Sequence, residues 1–306
     1  MALVSKAKSA IIILILVNIV WGAGNPIMKW ALQDLHLYTF LFLRSLITAI
    51  ILAVLFPKNI KITAKQFFQL FMLSIFGITL NYYFSYVGLL HTASINSPII
   101  GSSGPIFIVL GSLLLFREKP KQKVLLGNLI GFFGVMVIVL APLFERVTFD
   151  ASLSGNVYLL LATIASVVYT LLLKNIAPKM KATTITMWYF FIGSVTFAFP
   201  FTEEVIKYGF LPHFNWQGGF GLIYSILFMS IFAYIGYAWS MKHILASEIV
   251  LFLYLDPVAA LFVAAPLLHE YPTSTFIFGS FLIFFGIYIA ERRLHWHPIH
   301  LFFKKH

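Results

Sequence analysis

Ten stretches of mostly apolar residues, each about as long as a bilayer is thick, follow one another along the chain. A helix needs roughly 20 residues to cross a hydrocarbon core of about 30 Å. With 60% hydrophobic and 10% charged residues, the chain has too little polar surface to enclose a soluble core. The sequence therefore predicts an all-α polytopic membrane protein of ten transmembrane helices embedded in a lipid bilayer. The predicted helices lie near residues 10–32, 37–56, 67–89, 94–116, 124–143, 155–175, 183–202, 217–240, 245–267 and 274–291.

The second half of the chain repeats part of the first. Eleven residues recur after 152 positions without a gap, and the most informative are the non-apolar pairs His91/His243, Pro105/Pro257, Glu118/Glu270, Pro120/Pro272, Gly127/Gly279 and Gly134/Gly286. A duplicated half with a proline at the same depth in each copy is typical of secondary transporters, whose site lies between repeats at interrupted helices. We expect two units of five helices each, residues 1–146 and residues 147–306.

Basic residues are sorted by side. Of the 21 Lys and Arg, 17 fall in the loops and tails that share one side of the ten-helix arrangement, whereas Lys29, Arg146 and Lys207 fall on the other. The positive-inside rule predicts a protein of the cytoplasmic membrane with both termini in the cytoplasm. Because five spans are an odd number, the second unit must enter the membrane in the opposite sense, as an inverted repeat. The net charge of +11 is then a topology signal, and no nucleic-acid partner is expected.

The segment Trp-Gly-Ala-Gly-Asn-Pro-Ile-Met-Lys at residues 21–29 resembles the opening helix of the drug/metabolite transporter superfamily, in particular its ten-helix EamA-type permeases. The resemblance continues through Leu43-Arg44, residues 83–94, Pro105 and residues 116–120. It implies two inverted halves around a central cavity and transport of small organic molecules, commonly export. The chain departs from the family pattern at Asn25, where an aromatic residue is more frequent, and at Asp256, an acid beside the second proline.

Asp256, followed by Pro257, falls near the middle of the ninth apolar stretch. An ionisable residue at that depth is a candidate for function, because an uncompensated charge there costs at least ~2.5 kcal/mol. Asp before Pro is also the pattern of a helix cap followed by the first helical residue, so capping of a resumed half-helix is the alternative and is compatible with function. Protonation of Asp256 would change its attraction for a cation, which is one way to couple protons to transport.

Arg44 lies inside the second stretch. Three roles are open to it: snorkelling towards the membrane surface, a structural ion pair, or binding of an anionic group. Together with Asp256 it could hold both ends of a zwitterion.

Other candidates fall into three groups. Helix breaks are predicted at Gly101, Gly104, Pro105 and Pro257. The hydroxyls of Ser102 and Ser103 beside the first break could bind substrate, and a kink needed for close helix packing is the alternative there. Further polar and aromatic residues could bind substrate, with packing as the alternative for each: Asn18, Trp21, Asn25, Tyr82, Tyr86, Trp188, Tyr234, Trp239 and Tyr254. Glu118 and Glu270, at opposite surfaces, suggest either gating or helix-end hydrogen bonding, and we favour the structural role.

These features predict an alternating-access permease, not an enzyme, with a small-molecule substrate and no cofactor or metal. Amino acids are the favoured substrate class, export the favoured direction, and the substrate gradient or protons the source of energy. The alternatives are export of hydrophobic organic cations, with Arg44 as a structural residue, and a passive channel. A monomer and a homodimer are both compatible with the sequence.

Overall fold

A computed structural model of the chain describes residues 2–104, 106–107, 122–143, 153–210, 215–240, 243, 252–253 and 255–291. Within these residues the regular structure is helical and contains no strand. The helices are α1 (Ala2–Ala31), α2 (Leu37–Leu55), α3 (Ala64–His91), α4 (Asn96–Gly101), α5 (Gln122–Leu140), α6 (Leu153–Ile176), α7 (Ala182–Tyr208), α8 (Trp216–Ser240), α9 (Leu255–Leu268) and α10 (Ser274–Glu291).

Six of these helices, namely α1, α2, α3, α6, α7 and α8, contain apolar segments long enough to cross a membrane. The described parts of α5, α9 and α10 contain shorter apolar segments. Large apolar side chains also remain on the outer surface, such as Phe199, Phe262 and Phe281, which are 73%, 79% and 60% exposed. Such a surface suits lipid and not water. The prediction of an all-α polytopic membrane protein is confirmed.

Carboxylates from other parts of the chain cap the N-termini of two helices. Glu204 near the end of α7 accepts hydrogen bonds from the backbone N–H groups of Tyr38 (3.2 Å) and Thr39 (2.6 Å) in the first turn of α2. Asp34, after α1, accepts one from the backbone N–H of Gly218 (3.2 Å) in α8. The first N–H groups of a helix have no partner within it, so each acid supplies the missing acceptor and complements the positive end of the helix dipole.

The main helix pairings recur when each of the first five helices is replaced by the helix five further on. Helix α1 packs on α8 and α9, and α6 packs correspondingly on α3 and α4, while α2 packs on α7 and α5 on α10. Single contacts follow the same rule. Gly77 contacts Tyr169, and the equivalent residues Met229 and Gly24 are also in contact. Gly104 likewise contacts Val167, and the equivalent residues Asp256 and Gly22 are in contact. In these pairs, residues of α3 and of the α4 region correspond to residues 152 positions later, in α8 and α9. Residues of α1 correspond to residues 145 positions later in α6, as Gly22 does to Val167.

Corresponding helices cross in opposite directions. On α2 and α7, the rings of Phe42 and Phe201 stack at 4.3 Å, and the start of α2 meets the end of α7 at Glu204. On α5 and α10, Gly134 packs against Gly279 and Gly127 against Gly286. All four glycines belong to the repeated set, so each repeat packs on the other through the same positions. Antiparallel contact between equivalent helices is the geometry that an inverted repeat requires.

Gly134→Ala should destabilise the protein by about 1 to 3 kcal/mol, which is typical of overpacking in a tight core. A Cβ atom at Gly134 would lie 2.6 Å from the carbonyl oxygen of Gly279 and 2.8 Å from the backbone nitrogen of Ile283, and neither backbone atom can move without separating α5 from α10. A lower melting temperature in detergent would show the effect. Gly101→Ala is the matched control, because a Cβ there meets no atom of another described residue within 4 Å. Equal melting temperatures for the two variants would contradict the packing argument.

Candidate functional site

Arg44 on α2 lies at the centre of the helix bundle, with 1% of its surface exposed. Its Nε donates to the hydroxyl of Ser230 (2.9 Å), Nη2 donates to the hydroxyl of Tyr82 (2.9 Å), and Nη1 donates to the hydroxyl of Tyr86. The guanidinium carbon also lies 4.4 Å from the centre of the Tyr82 ring. Arg44 therefore does not snorkel. The salt bridge found among the described residues joins Lys29 to Glu270 and does not involve Arg44. Within the described residues, the guanidinium is therefore bonded to hydroxyl groups and not to a carboxylate.

Two tyrosines related by the repeat meet beside Arg44. The hydroxyl of Tyr82 on α3 donates to that of Tyr234 on α8, at 3.0 Å and 152 positions apart. Each follows closely after a π-helical segment, Ile75–Leu80 in α3 and Ser225–Phe232 in α8, which end at equivalent positions. Such segments inside α-helices are frequent at functional sites, because they redirect the side chains that follow. Two positions of the sequence repeat are thus in contact beside Arg44.

Five buried tyrosines form a cluster that includes the two tyrosine partners of the guanidinium: Tyr82, Tyr86, Tyr169, Tyr189 and Tyr234. The ring of Tyr234 lies 5.2 Å from that of Tyr189 and 6.1 Å from that of Tyr169, between centroids. The cluster brings together helices α3, α6, α7 and α8 around a residue of α2. It offers flat apolar faces and hydroxyl groups in one place, which suits an amphipathic organic molecule.

Trp21 extends this tyrosine cluster to α1. Its ring lies 5.3 Å from Tyr234 and 5.2 Å from Tyr237, and its Nε1 donates to the carbonyl oxygen of Met229 (3.2 Å). The next residue, Gly22, packs directly on α9, since a Cβ there would lie 2.3 Å from the carbonyl oxygen of Asp256. Trp21 and Gly22 therefore connect the tyrosine cluster with the second charged candidate.

Asp256 lies in the first turn of α9, against the middle of the apolar segment of α1. Its Oδ1 is buried and accepts no hydrogen bond from the part of the chain that the structure describes. A buried carboxylate oxygen without a donor is costly, so this atom is available for a proton or a cationic group. Pro257 is buried in the same turn.

Neither Arg44 nor Asp256 has a charged residue at the equivalent position of the other repeat. A shift of 152 positions relates Asp256 to Gly104, and the shift of 145 that relates α1 to α6 places Tyr189 opposite Arg44. The contacts agree with the second correspondence, because Arg44 touches Tyr82 as Tyr189 touches Tyr234. The first half thus contributes Arg44 and the second half Asp256, of opposite sign and at non-equivalent positions.

Some of the remaining candidate residues form hydrogen bonds within or between the helices around this region. Asn25 accepts a hydrogen bond from Ser97 (3.2 Å) and so links α1 to α4. Asn18 donates to the carbonyl oxygen of Leu14 (2.6 Å), and its own oxygen is buried and unpaired among the described residues. Helix α4 ends at Gly101, and the hydroxyls of Ser102 and Ser103 donate to the carbonyl oxygens of Pro98 (2.8 Å) and Ile100 (2.5 Å).

Two predicted tryptophans lie elsewhere. Trp188 donates to the carbonyl oxygen of Ile60 (3.1 Å) beside the α2–α3 connection, and Trp239 packs on His243 at 4.3 Å. Pro105, Glu118 and Tyr254 lie outside the described residues. Conversely, Tyr169, Tyr189 and Ser230 belong to the site and were not among the candidates. The signal that could have found Tyr189 is the 145-residue shift, which a gapless comparison at 152 positions does not detect.

Comparison with known proteins agrees with the membrane fold. The model of the EamA-like transporter family matches residues 8–140 and again residues 153–291. An uncharacterized transporter of Archaeoglobus fulgidus is 28% identical over 92% of this chain and 98% of its own length. The uncharacterized transporter YetK of Bacillus subtilis is 25% identical, covering 94% and 88%. One crystal structure superposes with a TM-score of 0.60 at 15% identity, covering 94% of this chain and 99% of that one, and shows the fold alone. The chain therefore belongs to the EamA-like transporter family.

Proposed function

We propose that the protein is a secondary transporter that exports small amphipathic metabolites, with amino acids as the favoured class, by alternating access. The two units, residues 1–146 and 147–306, would be inverted repeats in the cytoplasmic membrane with both termini in the cytoplasm. The antiparallel packing of α2 on α7 and of α5 on α10 supports the inversion, and the distribution of Lys and Arg supports the orientation. Because the Arg44 and Asp256 regions lie in a single chain, one subunit would suffice for transport, alone or within a homodimer.

The choice of substrate rests on the burial of Arg44, which has no carboxylate partner among the residues that the structure describes. Hydroxyl groups satisfy some of its N–H donors but do not neutralise its charge, and an unneutralised cation in the middle of a membrane is expensive. A substrate carboxylate would supply the missing negative charge and could accept two parallel hydrogen bonds from the guanidinium. An arginine kept for structure alone would be expected to have a carboxylate from the protein itself.

Asp256 supports a zwitterionic substrate. Its Oδ1, which has no hydrogen-bond partner in the described part of the chain, suits an ammonium group. Trp21, the residue before Gly22, links Asp256 to the tyrosine cluster. A substrate with a carboxylate, an ammonium group and an apolar part would match the three kinds of surface present. Protons could compete with the ammonium group for Asp256, and this competition would provide coupling to a proton gradient.

Transport by the purified protein in liposomes tests the proposal. Labelled amino acids and hydrophobic organic cations would be compared with and without a pH gradient. We expect saturable uptake of amino acids and acceleration of that uptake by unlabelled amino acid on the opposite side. Uptake of organic cations alone would favour the alternative in which Arg44 is structural. Flux that neither saturates nor exchanges would indicate a channel.

A further inference from the structure

A charged cluster joins three separate parts of the chain at the end of the molecule where α1 finishes. The Nζ atom of Lys29 lies 2.8 Å from Oε1 of Glu270 and donates to the carbonyl oxygen of Thr92 at 2.7 Å. The other oxygen of Glu270 accepts from the backbone N–H of Ser94 (2.7 Å), from its hydroxyl (2.6 Å) and from the N–H of Ile95 (3.3 Å). The last residues of α1, the α3–α4 connection and the α9–α10 connection are therefore held together by one carboxylate and one ammonium group.

These contacts are shielded from water. The side chain of Glu270 is 7% exposed and that of Lys29 is 18% exposed. Exposed ion pairs contribute little, but breaking a pair at this degree of burial leaves a desolvated charge and is much more costly. The cluster therefore holds the three segments together while water is excluded, and both charges become hydrated if the segments part.

The position of this charged cluster connects it with the candidate site at Asp256. Gly22, which touches Asp256, precedes Lys29 by two turns of α1, or about 10 Å along the helix axis. Helix α9 likewise begins beside Asp256 and ends just before Glu270. The cluster therefore ties together the far ends of the two helices that meet at Asp256, on the side that the charge distribution predicts to be extracellular.

We infer that Lys29, Glu270 and Ser94 form a latch that closes this end of the transporter, and that the latch must open before the site reaches the outer solution. The inference rests on the alternating-access mechanism proposed above. It assigns Glu270 a gating role in addition to the helix-end hydrogen bonds that it makes with Ser94 and Ile95. Neutralising either charged partner should shift the protein towards the conformation that is open at this end.

The repeat supplies a matched control. The 145-residue shift between α1 and α6 relates Lys29 to Lys174, which lies near the opposite end of the bundle and is exposed. Lys174→Met removes the same charge from the equivalent helix without touching the latch. It should leave the outer end as it is in the unmodified protein.

Distances between two spin labels test the inference. The chain has no cysteine, so labels can be attached at Gln33→Cys and Tyr271→Cys, two exposed positions on either side of the latch. In lipid nanodiscs without substrate, Glu270→Gln and Lys29→Met should each raise the ratio of long to short distances about tenfold, as expected for the loss of one charge-assisted bond. The ratio in Lys174→Met should equal that in the parent.

An unchanged distance distribution in folded Glu270→Gln or Lys29→Met would overturn the latch, and so would an equal change in Lys174→Met. If Glu270→Gln does not fold, Lys29→Met still tests the inference, because it retains the bonds between Glu270 and the α3–α4 connection. The measurement needs no substrate, so its result is independent of the transport assay. Absence of transport together with a responsive latch would refute the proposed function alone.

Discussion

Arg44→Gln should lower amino acid transport about a hundredfold, because it removes the charge that we propose to bind the substrate carboxylate. Hydrogen bonds to charged groups contribute about 1.5 to 3 kcal/mol, which corresponds to roughly ten- to hundredfold in binding. Two such bonds to one carboxylate would place the loss at the upper end of that range. Initial rates of uptake into liposomes, at equal amounts of protein, measure the effect.

Arg44→Lys separates charge from geometry. Lysine keeps the positive charge but cannot form two parallel bonds or hold Ser230, Tyr82 and Tyr86 at once. We expect partial transport with a raised apparent KM. Both variants also remove partners of buried hydroxyls, so each melting temperature should fall, and rates should be compared at a temperature where both remain folded.

Wild-type amino acid uptake by folded Arg44→Gln would contradict the assignment of Arg44. A rise in the uptake of organic cations by the same variant would in addition indicate a cationic substrate, because removing a positive charge from the site should help a cation to bind. That pair of results would make the organic-cation hypothesis the better one.

The positions of several helices could be predicted from hydropathy, because a helix that crosses the lipid needs an apolar segment of a minimum length. The second and tenth predicted helices, near 37–56 and 274–291, agree closely with Leu37–Leu55 and Ser274–Glu291. Helix α7 was predicted to end near residue 202 but continues to Tyr208. Its last turns contain Glu203, Glu204 and Lys207, which resemble a loop in a hydropathy profile. They remain helical, and Glu204 caps α2 across the interface, a contact that no local pattern reveals.

The site was only partly predictable for a related reason. Charge and depth point to Arg44 and Asp256, and the repeat points to Tyr82 and Tyr234, because a match 152 positions apart needs no knowledge of packing. Tyr189 and Trp188 are adjacent in sequence, yet the first lies in the tyrosine cluster and the second beside Ile60. Which of two neighbouring aromatic residues faces the bundle depends on helix rotation, and an apolar helix with lipid on one side has no polar face to reveal it.

Asp256→Asn should reduce amino acid transport at least about tenfold and remove its dependence on pH. Asparagine has nearly the same shape but no charge, so the variant keeps the contact with Gly22 and loses the attraction for an ammonium group. In the unmodified protein, acid should weaken substrate binding as Asp256 takes up a proton. Asp256→Asn corresponds to the protonated form at every pH, so its residual rate should stay flat. Uptake across a series of buffers measures both effects.

Asp34→Asn is the matched control for this experiment. Asp34 is also a carboxylate at a helix end, but it accepts hydrogen bonds from Asn215 (3.3 Å) and Gly218 (3.2 Å). Its replacement should lower stability slightly and leave the pH profile of transport unchanged. If Asp256→Asn transports with the rate and pH dependence of the parent, Asp256 serves only to begin α9. The buried Oδ1 beside α1 would then play no part in binding or proton coupling.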